Sequence, residues 1–116
     1  MQGTQLRYAI KFVADMDTAV KFHRDMLGLA LKFQSPGWSE FATGETTLAL
    51  HPASDKNPAG KVELGFTVPD VAAFYRDMSA RGVQFSMPPT EQDFGGVLAR
   101  FVDSEGAHCS VGAEAA

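Results

Sequence analysis

The sequence predicts an α+β fold built from two βαβββ modules, and three observations predict it. Apolar alternation marks a strand before each of two helical stretches. Each helical stretch opens at an aspartate and closes at a glycine, the residues that cap those ends. Finally, a pentapeptide recurs in the same slot, Phe22-His23-Arg24-Asp25-Met26 returning as Phe74-Tyr75-Arg76-Asp77-Met78. Two copies are too few to stack as a solenoid. The expected arrangement is two curved mixed sheets, each backed by its own helix, around a cup-shaped cavity.

The elements follow in order. Leu6 to Val13 alternates, with Leu6, Tyr8, Ile10 and Phe12 on one side. Asp15 or Asp17 caps a helix whose face carries Ala19, Val20, His23, Met26 and Leu27, and Gly28 ends it. Three short strands fit at Ala30–Gln34, Trp38–Ala42 and Thr46–His51, separated by Ser35-Pro36-Gly37 and Thr43-Gly44-Glu45. Pro52–Gly60 reads as a solvated connector. Val62 to Val68 is the next strand, and Asp70 caps a helix that runs to Arg81 and ends at Gly82. A strand at Val83–Ser86 meets a hard break at Met87-Pro88-Pro89. Strands at Val97–Val102 and Ala107–Val111 close the chain around the turn Asp103–Gly106. One domain over residues 1–116 is therefore expected, with modules at about 5–51 and 61–112 joined by 52–60.

Composition excludes several function classes. The 116 residues hold ten Lys and Arg against fourteen Asp and Glu, a formal net charge of -4, without a basic cluster to track phosphates. No nucleic-acid partner is expected. Apolar runs are too short to span a bilayer and no cationic leader is evident, so neither a membrane partner nor secretion is expected and the location is cytoplasmic. The single cysteine, Cys109, cannot form an internal disulfide, and strand alternation turns it away from His108, which therefore does not activate it. No phosphate loop, nucleophile elbow or Cys-x-x-Cys is present.

Two stretches stand out together: Val13-Ala14-Asp15 with Phe22-His23-Arg24-Asp25-Met26-Leu27-Gly28-Leu29, and in the second half Phe94-Gly95-Gly96 with Arg100-Phe101-Val102-Asp103-Ser104-Glu105-Gly106. In these the chain resembles the vicinal oxygen chelate (VOC) superfamily of glyoxalase I, bleomycin and fosfomycin resistance proteins and extradiol dioxygenases. The resemblance runs from about Leu6 to Val111 and implies the glyoxalase/bleomycin resistance fold, in which the two modules enclose the cup. It says little about the reaction, because this fold hosts many chemistries.

The resemblance also implies four metal-ligand positions, which here hold Tyr8, Ala49, Glu63 and Ser110. A phenol, a methyl group, one carboxylate and a hydroxyl are a poor set for a divalent ion, so no metal or other cofactor is expected. An alternative set is His51, Glu63 and His108, since strand alternation puts His51 beside Ala49 and His108 beside Ser110. In the plainer reading, His51 and His108 are strand-end residues near solvent and Glu63 is a polar cavity wall. Glu63 would be partly desolvated among Tyr8, Ile10, Phe12, Trp38 and Phe94. It would then be protonated, or hold a cationic or hydrogen-bonding partner, with Tyr8 as its candidate. His23 is assigned to the helix surface with no chemical role.

The function read from these residues is small-molecule binding of the glyoxalase/bleomycin-resistance type. An aromatic or cationic ligand would bind in the cup or at a groove of a homodimer. The expected ligand-binding residues are Tyr8, Ile10, Phe12, Trp38, Ala49, His51, Glu63, Phe94, His108 and Ser110. One alternative is a metal-dependent lyase, isomerase or dioxygenase using His51, Glu63 and His108. The other is a dimeric interaction module without ligand.

Overall fold

Asp70 caps as its spacing predicts, and of the two candidates Asp15 and Asp17 it is Asp15 that caps the first helix. In the computed structural model, which describes residues 3–113, each holds extended backbone angles and accepts a hydrogen bond from the N–H three residues on. Asp15 takes that of Thr18 at 3.1 Å and Asp70 that of Ala73 at 3.0 Å. Each thereby satisfies one of the unpaired donors at a helix start. Helix α1 spans Met16–Lys21 and α2 spans Val71–Ala80. The strands are β1 Gln5–Val13, β2 Ala30–Phe33, β3 Ser39–Ala42, β4 Thr47–Pro52, β5 Val62–Val68, β6 Phe85–Glu91, β7 Val97–Val102 and β8 His108–Ala113.

The chain divides into two compact units. The first, residues 7–62, carries strands in the order β2-β3-β4-β1. β1 runs parallel to β4, and β3 is antiparallel to both of its neighbours. The second unit, residues 63–113 with 3–6, carries β5-β8-β7-β6. There β5 is parallel to β8, and β7 is antiparallel to β8 and β6. The pairing scheme is the same in both, so the repeated pentapeptide marks repeated α+β architecture.

Each helix covers one face of its own sheet. In the first unit Val13, Val20, Phe41 and Leu50 are buried together, with Met16, Leu29, Leu31 and Leu48 packed around them. In the second, Val68, Val71, Phe74, Ala99 and Val111 form the core with Phe66, Met78, Phe85 and Phe101. Phe74 and Phe101 stand 5.8 Å apart between ring centres, and Tyr75 meets Phe85 edge-on at 4.8 Å. Among the described residues, the opposite face of each sheet has no helix of its own.

Three local features depart from the sequence expectation. First, α1 continues as a π-helical turn over Phe22–Met26, with the Leu27 N–H donating to the Phe22 carbonyl at 3.2 Å. The wider turn rotates the side chains that follow it. Met26 and Leu27, expected on the buried face, are exposed, whereas His23, expected on the surface, is buried. Second, β6 passes through Pro88 and Pro89 instead of stopping before them. It is the last strand in its unit's order, and its pairing to β7 shifts register between Phe85 and Thr90. Edges and bulges are where a missing N–H breaks no ladder. Third, residues 52–60, mostly exposed as expected of a solvated connector, are in addition tied to β1. The Ala53 N–H donates to Val13, the Gly60 N–H to Phe12, and the Phe12 N–H to Lys61, all at 2.8–2.9 Å.

Candidate functional site

The uncovered face of the first unit is aromatic. Alternation along β1 puts Tyr8, Ile10 and Phe12 on it, and register places Thr47, Ala49 and His51 of β4 beside them. Ile10, Phe12 and Ala49 are buried as a floor, with Tyr8, Trp38 and Ala53 packed against it. The rings meet edge to face: Phe12 and His51 at 5.3 Å, Trp38 and His51 at 6.1 Å, Tyr8 and Trp38 at 6.3 Å. Glu40, in register with Ala49, accepts the Trp38 indole N–H at 2.8 Å and lies 3.8 Å from the Lys32 ammonium.

Two polar groups on this face have defined states. Burial, reinforced by the negative charge of Glu40, pushes the Tyr8 phenol above its ordinary pKa, so Tyr8 stays a neutral donor. The His51 Nδ1 lies 2.9 Å from the Pro52 carbonyl, which can only accept, so Nδ1 carries a proton. His51 is exposed.

The uncovered face of the second unit is polar. Alternation along β5 puts Glu63, Gly65 and Thr67 on it, opposite Phe66 and Val68, which join the core beneath α2. Register then sets Gly65 beside Ser110 and Thr67 beside Gly112 on β8, with Arg100 of β7 beyond Ser110. Glu63 is buried, at 6% exposure. Its Oε1 accepts from Nη2 of Arg100, whose side chain is 35% exposed. The desolvated carboxylate has therefore found a cationic partner, in Arg100 rather than Tyr8. The Arg100 Nε–H and the Thr67 hydroxyl are shut from solvent without a hydrogen-bond partner among the described residues. At the rim, the exposed His108 places Nδ1 3.0 Å from the Ser86 hydroxyl.

Of the residues expected from sequence, Tyr8, Ile10, Phe12, Trp38, Ala49 and His51 share the first unit's face. Glu63, His108 and Ser110 share the second's. Phe94 is on neither: it is exposed in the turn between β6 and β7, its ring so close to Gly96 that a Cβ there would overlap it. Sequence reasoning missed Arg100 and Glu40. The signal for Arg100 was present, since alternation over Val97–Val102 puts it with Leu98 and Val102, opposite Ala99 and Phe101. A charge in mid-strand on that side needs a partner. An open groove of about 430 Å³, lined by Asp15, Met16, Asp17, Gln34, Ser35 and Pro36, holds none of the expected residues.

The residues do not fit a divalent ion. At the four positions implied by the resemblance, Ala49 offers no donor, and the only carboxylate already accepts from a guanidinium. His51 and His108 bond Pro52 and Ser86 through Nδ1, which leaves Nε2 of each ring as its one nitrogen for an ion. No group of three or more His, Cys, Asp or Glu side chains that could hold a metal occurs among the described residues.

Comparison with known proteins agrees with this architecture. The family model for the Glyoxalase/Bleomycin resistance protein/Dioxygenase superfamily matches residues 5–108. Among solved structures, hypothetical protein BH1468 from Bacillus halodurans C-125 superposes with a TM-score of 0.81 at 17% identity, covering 99% of this chain and 97% of that one. A variant of methylmalonyl-CoA epimerase from Streptomyces coelicolor, in complex with 2-nitronate-propionyl-CoA, gives 0.80 at 17% identity, covering 99% and 100%. A chain described as NAD-dependent benzaldehyde dehydrogenase from Legionella pneumophila gives 0.76 at 21% identity, covering 93% and 98%. At these identities the likeness is one of fold. No curated protein matches the sequence significantly.

Proposed function

This chain belongs to the Glyoxalase/Bleomycin resistance protein/Dioxygenase superfamily, and from that premise we propose that it binds an aromatic or cationic small molecule without a metal. The observation that carries the reading is the first unit's aromatic face. Tyr8, Phe12, Trp38 and His51 surround a buried floor of Ile10 and Ala49, with the Glu40 carboxylate held at the indole. Rings arranged edge to face leave π surfaces for a flat ligand or a cation, and a nearby carboxylate favours positive charge. Binding rather than metal chemistry follows from the donor set, which lacks the ligands a divalent ion needs.

Trp38 is the only tryptophan, so intrinsic emission reports this face directly. Titration with benzyltrimethylammonium is expected to change the emission saturably, with Tyr8→Leu weakening binding about fivefold through loss of one ring. Benzyl alcohol, the uncharged comparison, is expected to bind more weakly. Emission that stays constant or drifts without saturation under both compounds would overturn the reading.

A homodimer belongs to the same proposal. Phe22, Met26, Leu27 and Phe33 of the first unit are all exposed, and an apolar surface of that kind favours a protein partner. Light scattering should return twice the 12.5 kDa of one chain, and a monomer at all concentrations would remove this part.

A further inference from the structure

We propose that the uncovered face of the second unit is an oxyanion site, taking a small carboxylate on Arg100. This goes beyond the aromatic-ligand reading, because it rests on the other unit and on different residues.

A guanidinium has five N–H donors in a planar fork, and Glu63 accepts from one nitrogen of Arg100, Nη2. The Nε–H is shut from solvent with no acceptor among the described residues, a state that is costly for a charged donor. Yet the side chain as a whole is 35% exposed, so its outer edge is open to a ligand. Two hydroxyls lie on the same face. Ser110 is the register partner of Arg100 on β8, and Thr67, two residues along β5 from Gly65, also has a buried hydroxyl without a partner among the described residues. Two hydroxyl donors thus share a face with a guanidinium of which Glu63 engages only Nη2, and Glu63 is the one carboxylate named on that face.

The chemistry that completes such a set is an acceptor-only group with several lone pairs on a plane. A carboxylate is that group, and planar arginine matches it two bonds at a time. Glu63 sets the strength of the site. Its negative charge offsets that of Arg100, so an incoming anion meets a neutral pair and is held weakly. A neutral amide at residue 63 would leave the guanidinium uncompensated and the anion more tightly held.

The test is an NMR titration of the Arg100 Nε–H resonance with sodium acetate, against sodium chloride at matched ionic strength. Acetate has no ring, so the aromatic face contributes nothing and Trp38 emission should stay constant. Saturable movement with acetate alone is expected. Glu63→Gln should tighten binding about threefold, by removing the competing charge. Thr67→Val should weaken it about threefold through loss of a donor, and Arg100→Lys about tenfold through loss of the planar fork. Glu63→Gln and Thr67→Val are near-isosteric and carry the test if Arg100→Lys does not fold. Equal movement with chloride, no saturation, or weaker binding in Glu63→Gln would overturn the proposal. None of these outcomes bears on the aromatic face.

Discussion

Cys109 shows how one side chain can be chemically silenced by its place in a sheet. Strand alternation turns it away from His108 and Ser110, and it is buried. Burial is the main reason its thiol is pushed above the ordinary value of 9.0, with the negative charges of Asp103 and Glu63 adding to it. Little thiolate is present at neutral pH, and little of the sulfur is reachable. Native protein at pH 8 should therefore react with a disulfide reagent about a hundredfold more slowly than protein unfolded in urea. Equal rates would show that Cys109 is not shielded. The stability consequence follows from the sign of the shift. The folded-state thiol and the Tyr8 phenol both hold their protons more tightly than in the unfolded chain. The stability this gives is complete below pH 9 for the thiol and below pH 10 for the phenol, and is lost as pH rises through the folded values. Urea midpoints should be level from pH 7 to 8.5 and fall above pH 9, and a midpoint that rises there would contradict both assignments. The same scale shows why a buried charge was legible and the identity of its partner was not. Glu63 stands out as an acid on an apolar strand, and its need for a partner could be stated in advance. Arg100 could not be named as that partner, because nothing local in the sequence links residues 37 apart on strands that β8 separates.

Between residues and whole units, the elements record how far local signals reach. The caps are strictly local, a carboxylate and an N–H three residues away, and both were legible. Asp15→Ala and Asp70→Ala should each cost about 1 kcal/mol of unfolding free energy by chemical denaturation, with the asparagine variants close to wild type. No loss in either alanine variant would mean that packing alone fixes the helix starts. Most strands were legible for the same local reason, since period-two burial survives any choice of neighbour. What failed depended on context. The π-helical turn at Phe22–Met26 uses nearly the same pentapeptide that stays regular α-helix at Phe74–Met78, so the four shared residues cannot decide it. In the first copy His23 is buried, with its Nδ1 2.8 Å from the Ala19 carbonyl and its ring 5.7 Å from that of Phe41. Tyr75, its counterpart, packs instead on Phe85. Pro88 and Pro89 read as a strand break because proline forbids a central strand, and only the sheet order reveals an edge. The bonds from β1 to residues 53, 60 and 61 are backbone bonds, invisible in side-chain pattern.

For the molecule as a whole, the repeated pairing scheme raises the question of whether a unit can stand alone. Each comprises about 55 residues, a size at which folding buries only about 60% of the unfolded surface and stability is marginal. Each sheet also has one face that no helix of its own covers, and a sheet packed on one face buries less apolar area than one packed on both. The expected outcome is that the chain unfolds in one step and that fragments 7–62 and 63–113 are unfolded in isolation. Calorimetry distinguishes the cases by enthalpy. A single cooperative transition of 116 residues should absorb about 80 kcal/mol near 60 °C, with van't Hoff and calorimetric values equal. Two independent units would give a van't Hoff enthalpy about half the calorimetric one, because each transition would report only its own residues. The substitutions proposed above sharpen the comparison. Asp15→Ala lies in one unit and Asp70→Ala in the other, so in a one-step molecule both move the same transition. In a two-step molecule each would move a different one, and the two units would then have to be treated as separate folding bodies.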